Sequence, residues 1–270
     1  VTAAVDNWRA RLEEWAIPTE LLESVDESPY TWPVELWQRR VQIARSEPET
    51  YTTRLVRRLA SESVIDVGAG TGRSCLPLAR AGLYVTAIEK SEEMARVLSS
   101  EFRDEGLDAS VWIGTWLEVA EAIPAADVAM AAHVVYDVPD IAPFLAGMTR
   151  RARHAVVLEL SSVHPWTDLG KYYQELHSLE RPLGPTSGDL VDVIVEEFGV
   201  VPRLFQWRRE AQLWYRDIEE LVDVYARRLV LPSERRQELR DLLIPDVKEI
   251  DGRFYLGDTD RSMVTVWWPV

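Results

Sequence analysis

Two hydrophobic rhythms divide the chain. Up to about residue 60 the apolar positions fall at helical spacing, and from residue 63 short apolar runs alternate with helical stretches. Asn7–Trp15 has one apolar face and stops near Ile17-Pro18, because a residue before proline is pushed out of the α region. Pro33 and Pro48 each suit a first helical position. Val34, Trp37, Val41 and Ala44 share a helix face after the first, and Tyr51, Leu55 and Leu59 after the second. Residues 1–60 thus read as an N-terminal helical cap.

The second part, 61–270, reads as an α/β domain. Ser63–Val67 is a short buried strand, followed by a Gly-rich turn and a helix from about Arg73 to Ala81. Leu83–Glu89, Ala109–Ile113, Asp127–Ala132 and Ala155–Leu160 are further strands. Between them Ser91 caps a helix to about Phe102, and Pro139–Arg151 forms another. Strands alternating with helices imply crossover units and a parallel sheet covered on both faces. After the fifth strand the rhythm loosens into an aromatic segment, Ser161–Arg181, and a helix, Ser187–Phe198, which together suggest a helical insert over about 161–198. Asp217 with Glu220 predicts a capping box for a helix to Leu229, and Ser233 caps another. Val201–Trp207 and Met263–Trp268 are the closing strands.

The 270 residues suffice for a real core without a disulfide or metal staple. Cys75 is the single cysteine, which excludes a disulfide framework and any zinc site built on two cysteines of this chain. Acids outnumber bases 45 to 30, for a formal charge of −15. That balance points away from nucleic acid, whose binding depends on Lys and Arg displacing counterions. With no basic-then-apolar leader and no apolar stretch near membrane-spanning length, the chain reads as a cytoplasmic protein without a membrane segment.

The stretch Val64-Ile65-Asp66-Val67-Gly68-Ala69-Gly70-Thr71-Gly72-Arg73 carries the most chemistry. Glycines at this spacing let the chain turn tightly out of a strand and let its backbone approach a ligand. A dinucleotide fingerprint would need a small residue where Arg73 stands, and a pyrophosphate would be repelled by Asp66. S-adenosylmethionine carries a sulfonium, an ammonium and no phosphate, so an acid beside the turn suits it. Glu89, ending the second strand, lies where an acid can take both ribose hydroxyls.

On these residues the sequence resembles the class I S-adenosylmethionine-dependent methyltransferases, from Ser63 to Leu160. More narrowly it resembles an actinobacterial small-molecule branch, through Trp32–Leu36, His133–Asp140, Arg227–Pro232 and Trp267-Trp268-Pro269. The resemblance implies a Rossmann-like seven-stranded sheet, mostly parallel with an antiparallel last strand. It implies that Asp66, Gly68, Ala69 and Gly70 line the methionine part of the cofactor and Glu89 its ribose. Lys90 and Met94 would flank the adenine edge, with Thr115 and Trp116 after the third strand, Trp116 by stacking. Arg73 or Arg40 would supply a cation for the cofactor carboxylate.

Methyl transfer from a sulfonium runs downhill, so the main task is in-line orientation and exclusion of water. His133 follows the fourth strand, where the family's residue meets cofactor and acceptor. Tyr136 and His164 are the other catalytic candidates, with Trp166, Tyr172 and Tyr173 as a lid. A metal is not expected, because Asp137 with Asp140 is too thin a set. The expected function is methyl transfer to a small-molecule acceptor, releasing S-adenosylhomocysteine, by a monomer or homodimer. A non-catalytic S-adenosylmethionine-binding protein and a nicotinamide-dependent oxidoreductase are the alternatives.

Overall fold

A computed structural model describes residues 2–25, 28–29, 35–36, 39, 49–210, 213–257 and 260–270. Of the helix expected after Pro33, Glu35, Leu36 and Arg39 are described and helical, while Val34, Trp37, Val41 and Ala44, together with Arg40 and Pro48, lie outside the described residues. The chain opens with helices α1 (Ala3–Glu13), α2 (Thr19–Leu22) and α3 (Tyr51–Leu59). It continues through β1 (Ser63–Val67), α4 (Cys75–Arg80), β2 (Tyr84–Glu89), α5 (Glu92–Asp104), β3 (Ala109–Ile113) and α6 (Trp116–Val119). Next come β4 (Ala126–Ala132), α7 (Ile141–Arg151), β5 (Ala152–Ser161), α8 (Gly170–His177), α9 (Ser187–Phe198) and β6 (Arg203–Glu210). The last elements are α10 (Ile218–Arg228), α11 (Arg236–Leu243), the hairpin β7 (Val247–Ile250) and β8 (Arg253–Leu256), and β9 (Asp260–Pro269).

The described residues form a seven-stranded sheet in the order β3-β2-β1-β4-β5-β9-β6. β1 to β5 run parallel, while β9 is antiparallel to both β5 and β6. β1 is flanked by β2 and β4, so the strand order reverses beside it, and a crevice opens beyond the carboxyl ends at such a point. The central strands are apolar runs because both faces are covered: β4 is buried over Ala126–Ala131 and β5 over Ala155–Ser161. One face packs against α1, α7 and α9, joining Trp8, Phe144, Met148 and Val193 to Ile65, Val156 and Trp268. The other packs Val56, Leu78, Leu98 and Phe102 against Val64, Val85 and Val157.

A third apolar cluster stands apart from the sheet. Leu169, Tyr172, Tyr173 and Leu176 from the segment after β5 meet Tyr215, Leu221, Val224, Leu239 and Leu243 from the segment between β6 and β9. The two inserts therefore build one helical unit.

Local chemistry explains several element ends. Ser91 caps α5 by accepting from the Met94 N–H at 3.4 Å, and Thr186 caps α9 in a reciprocal box with Asp189. The box expected at Asp217 is half formed. Asp217 accepts from the Glu220 N–H, but the Glu220 carboxylate turns to the Arg216 N–H and the Arg39 guanidinium. Ser233 opens a 3-10 turn instead, and the N-cap position of α11 falls on Arg235, which makes no side-chain cap. The β7–β8 hairpin was not foreseen. Its two-residue link, Asp251-Gly252, has both residues at positive φ, the Asp-Gly chemistry of a tight hairpin turn.

Candidate functional site

The turn after β1 is held by its own backbone. The N–H groups of Gly68 and Ala69 both donate to the Ile88 carbonyl, at 2.8 and 2.9 Å, which pins the turn to the end of β2. Gly70 donates to Glu89 Oε2 at 2.8 Å, and the Ser91 N–H donates to Glu89 Oε1 at 2.8 Å. Glu89 is thus fixed from two sides and buried, with acceptor capacity left on each oxygen. Gly68 and Gly70 sit at φ +72° and +58°, but they differ in what faces them. A Cβ on Gly68 would lie 2.4 Å from Val134 Cγ2, whereas a Cβ on Gly70 would meet nothing within 4 Å. The Gly70 face opens onto free space.

Asp66 lies beneath this turn, 1 % exposed, and neither carboxylate oxygen has a hydrogen-bond partner of normal geometry. Burial pushes its pKa up to about 7. The Cys75 thiol and the Arg73 charge pull the other way, and Glu89 and Glu159 add to the rise. Buried polar groups are normally satisfied, so an orphaned carboxylate next to an open backbone cradle marks a place for a cationic ligand.

A second group sits where β4 and β5 end. His133 adopts φ +62°, in the left-handed region that a β-carbon disfavours. Its N–H donates to the Glu159 carbonyl at 2.8 Å, and its Nε2 lies 3.5 Å from Glu159 Oε1. The Glu159 side chain is 1 % exposed and takes an N–H from Arg73 at 2.6 Å. Burial pushes the Glu159 pKa up, but the Arg73 charge and the His133 contact outweigh it and hold the carboxylate well below its ordinary range. For His133, burial drives the pKa down to about 4 against the pull of Glu159, so the imidazole is neutral at pH 7.

Tyr136 and His164 stand nearby in a tighter setting. The Tyr136 hydroxyl accepts from the Ser161 N–H at 2.5 Å and lies 2.7 Å from Ser161 Oγ; burial, above all, raises its pKa. His164 is buried, stacked on Trp15 with ring centroids 4.0 Å apart and edge-on to Tyr136 at 5.3 Å. Burial and the Arg181 charge press its pKa down to about 3. His164 is thereby a neutral packing group between α1 and the insert.

The remaining predicted residues fall around the turn. Lys90 pairs with Asp137 at 3.8 Å across the mouth between β2 and β4, both exposed. Met94 lies in the first turn of α5, half-buried. The Thr115 N–H and hydroxyl both donate to Glu118, closing a capping box on α6. Trp116 departs from expectation. It is 4 % exposed, its indole N–H donates to the Phe144 carbonyl at 3.1 Å, and its ring packs under Gly147 in the core, so stacking on an adenine is closed to it. Arg73 commits an N–H and its charge to Glu159 rather than standing free for a ligand carboxylate. Glu159 was missed by sequence reasoning. The signal was present, a lone acid within the apolar run Ala155–Leu160.

Among the described residues no group of three or more His, Cys, Asp or Glu could hold a metal ion, and no helix is long and apolar enough to cross a membrane.

Residues 64–155 match the family described as "Methyltransferase domain". With the strand order above, that match supports a class I S-adenosylmethionine-dependent methyltransferase. Two curated relatives are ubiquinone biosynthesis O-methyltransferases. That of Paramagnetospirillum magneticum is 31% identical over 99 residues, 37% of this chain and 39% of that protein. That of Agrobacterium fabrum is 24% identical over 211 residues, 69% of this chain and 81% of that protein. Among solved structures, a protein named as a methyltransferase of an antibiotic biosynthesis pathway from Anabaena variabilis superposes with a TM-score of 0.54. It is 17% identical and covers 81% of this chain and 97% of its own, a likeness of fold.

Proposed function

We propose that this chain transfers the methyl group of S-adenosylmethionine to a small-molecule acceptor, releasing S-adenosylhomocysteine. The observation that carries the reading is Asp66, a buried carboxylate with no hydrogen-bond partner of normal geometry beside the open face of Gly70. The donor's ammonium and sulfonium complement that charge, and its lack of phosphate suits a turn lined by two acids. When bound, the donor supplies an electrophilic methyl group. The protein's part is to bind, align and keep water out.

In this reading Asp66 and the Gly68–Gly70 backbone meet the methionine portion, and Glu89 takes the ribose hydroxyls with the acceptor capacity it keeps. Lys90, Met94 and Thr115 border the adenine. His133 faces the reacting end, with Tyr136 behind it. The helical unit built from the two inserts closes over the acceptor, and α1 to α3 complete the cap.

Titration calorimetry with S-adenosylhomocysteine tests this. A micromolar dissociation constant is expected at pH 8. Asp66→Ala or Gly70→Val should weaken it by roughly tenfold or more, about 1.4 kcal/mol. Because Asp66 holds its proton below about pH 7, affinity should fall roughly tenfold from pH 8 to pH 6. Absence of binding by the intact protein would end the proposal.

A further inference from the structure

We infer that Glu159 is a positioning residue: anchored by Arg73, it holds His133 as the proton acceptor for a methyl acceptor that reacts through a hydroxyl group. This rests on the methyl-donor reading above and extends it to the substrate class.

His133 is tied to Glu159 twice, by its backbone N–H to the Glu159 carbonyl and by Nε2 facing the carboxylate at 3.5 Å. The first tie accounts for the left-handed backbone of a residue that has a β-carbon, strain that persists only where the surroundings enforce it. The second fixes which nitrogen faces inward. A carboxylate accepts only, so Nε2 carries the proton and Nδ1 is left with its lone pair on the side of the ring away from Glu159. The His133 side chain is 31 % exposed, so the ring is within reach of a ligand.

Glu159 is itself immobilised. Arg73, from the turn after β1, takes Oε1 at 2.6 Å, and Thr50, capping α3, reaches Oε2 at 3.5 Å. The charged groups facing His133 are thus Glu159 from β5, Arg73 from the glycine turn and Arg209 from β6. A base oriented by a buried carboxylate, itself held by a third group, is the arrangement that proton abstraction needs.

The chemistry then selects the acceptor. A carboxylate or thiolate attacks without a proton to lose, and an amine sheds its proton to water after attack. A hydroxyl must lose its proton as the new bond forms. The acceptor oxygen's lone pair forms the bond to the methyl carbon, the carbon–sulfur bond breaks with its pair going to sulfur, and the hydroxyl proton passes to His133 Nδ1. The imidazolium is steadied by Glu159 and returns its proton to solvent.

Long-range nitrogen–proton NMR on the full chain saturated with S-adenosylhomocysteine tests this, His133 being assigned by its loss in His133→Asn. The expected wild-type spectrum at pH 7 is one neutral tautomer protonated on Nε2. Glu159→Gln should mix the tautomers while keeping S-adenosylhomocysteine affinity within about twofold. A wild-type His133 protonated on Nδ1, or already mixed, overturns the inference whether or not the variant folds. With labelled donor and matched phenols, anilines and thiols, transfer should favour phenols, and Glu159→Gln should lower kcat about 100-fold with little change in donor KM. Transfer to anilines or thiols that Glu159→Gln leaves untouched overturns it as well. Failure of the wild type to bind S-adenosylhomocysteine would strike the donor reading itself. Binding with a mixed tautomer would strike only the role of Glu159.

Discussion

The two ends of the parallel sheet treat a buried aspartate in opposite ways. At the amino ends, Asp127 opens β4, and its Oδ2 accepts from the N–H groups of Ser61, Glu62 and Ser63 and from the Ser61 hydroxyl, at 2.7 to 3.3 Å. Its Oδ1 meets Arg153 at 3.1 Å. Burial alone would raise its pKa, but those donors, led by the Glu62 N–H, hold it well below the carboxylate range. Toward the carboxyl ends, Asp66 is as deeply buried and has only the weak Cys75 thiol beside it, with no hydrogen-bond partner of normal geometry, and its pKa climbs to about 7. One end is satisfied within the chain. The other keeps polar capacity in reserve at a cost to folding, which is how a binding site departs from a structural one.

The sharpest way to break the comparison is to remove the satisfied acid. Asp127→Ala strands three backbone N–H groups, which should cost roughly 4 kcal/mol. For a domain of this size that lowers Tm by about 8–16 °C. S-adenosylhomocysteine affinity at a permissive temperature should stay within about twofold, since Asp127 lies at the opposite end of the sheet. Differential scanning calorimetry and titration on one sample check both. A loss of affinity alongside stability would mean that the two ends are coupled.

Asp66→Asn should do the reverse. A carboxyl raised from 3.8 to about 7 destabilises the ligand-free fold once ionised, by roughly 4 kcal/mol at most. Its folded pKa lies above the unfolded one, so its stabilising contribution is present below about pH 4 and is lost as pH rises through 7. Asp127 has the opposite sign: its contribution is present above about pH 4 and disappears as pH falls further. Asp66→Asn should therefore raise the Tm of the free protein at pH 8 by several degrees, change it little at pH 4, and weaken S-adenosylhomocysteine at least tenfold. A variant that is less stable at pH 8 would show that Asp66 is satisfied in the fold after all.

Legibility in the sequence follows the same division. The seven strands of the main sheet were readable to within a few residues, and the central ones most clearly, because strands covered on both faces are short apolar runs. The glycine turn, Asp66 and Glu89 were readable because one local segment carries them. Glu159 was not, since an acid in an apolar run gains meaning only when β5 is laid beside β4 and Arg73 reaches it from 86 residues away. The half-formed box at Asp217 has a similar origin, as Glu220 answers to Arg39, distant in the chain. The helical unit apart from the sheet draws its core from segments on either side of β6, a union that no single stretch announces.

Trp116 gives the finest test, because it sits one layer below the carboxyl-end crevice and tells how far down the ligand's territory reaches. Its indole N–H is satisfied by Phe144 at 3.1 Å, and Gly147 leaves room for the ring: a Cβ there would lie 2.9 Å from Nε1. Trp116→Phe deletes that hydrogen bond and part of the packing, which should cost roughly 1 kcal/mol, or about 2–4 °C in Tm. Affinity for S-adenosylhomocysteine should move less than twofold, because a ring closed off in the core has no face to offer an adenine. If instead affinity fell tenfold with Tm unchanged, the ring would belong to the ligand. The reserve of open polar and aromatic groups at the carboxyl end would then extend from Asp66 across β2 to the start of α6, and the contrast with the amino end would be one of whole layers rather than of two aspartates.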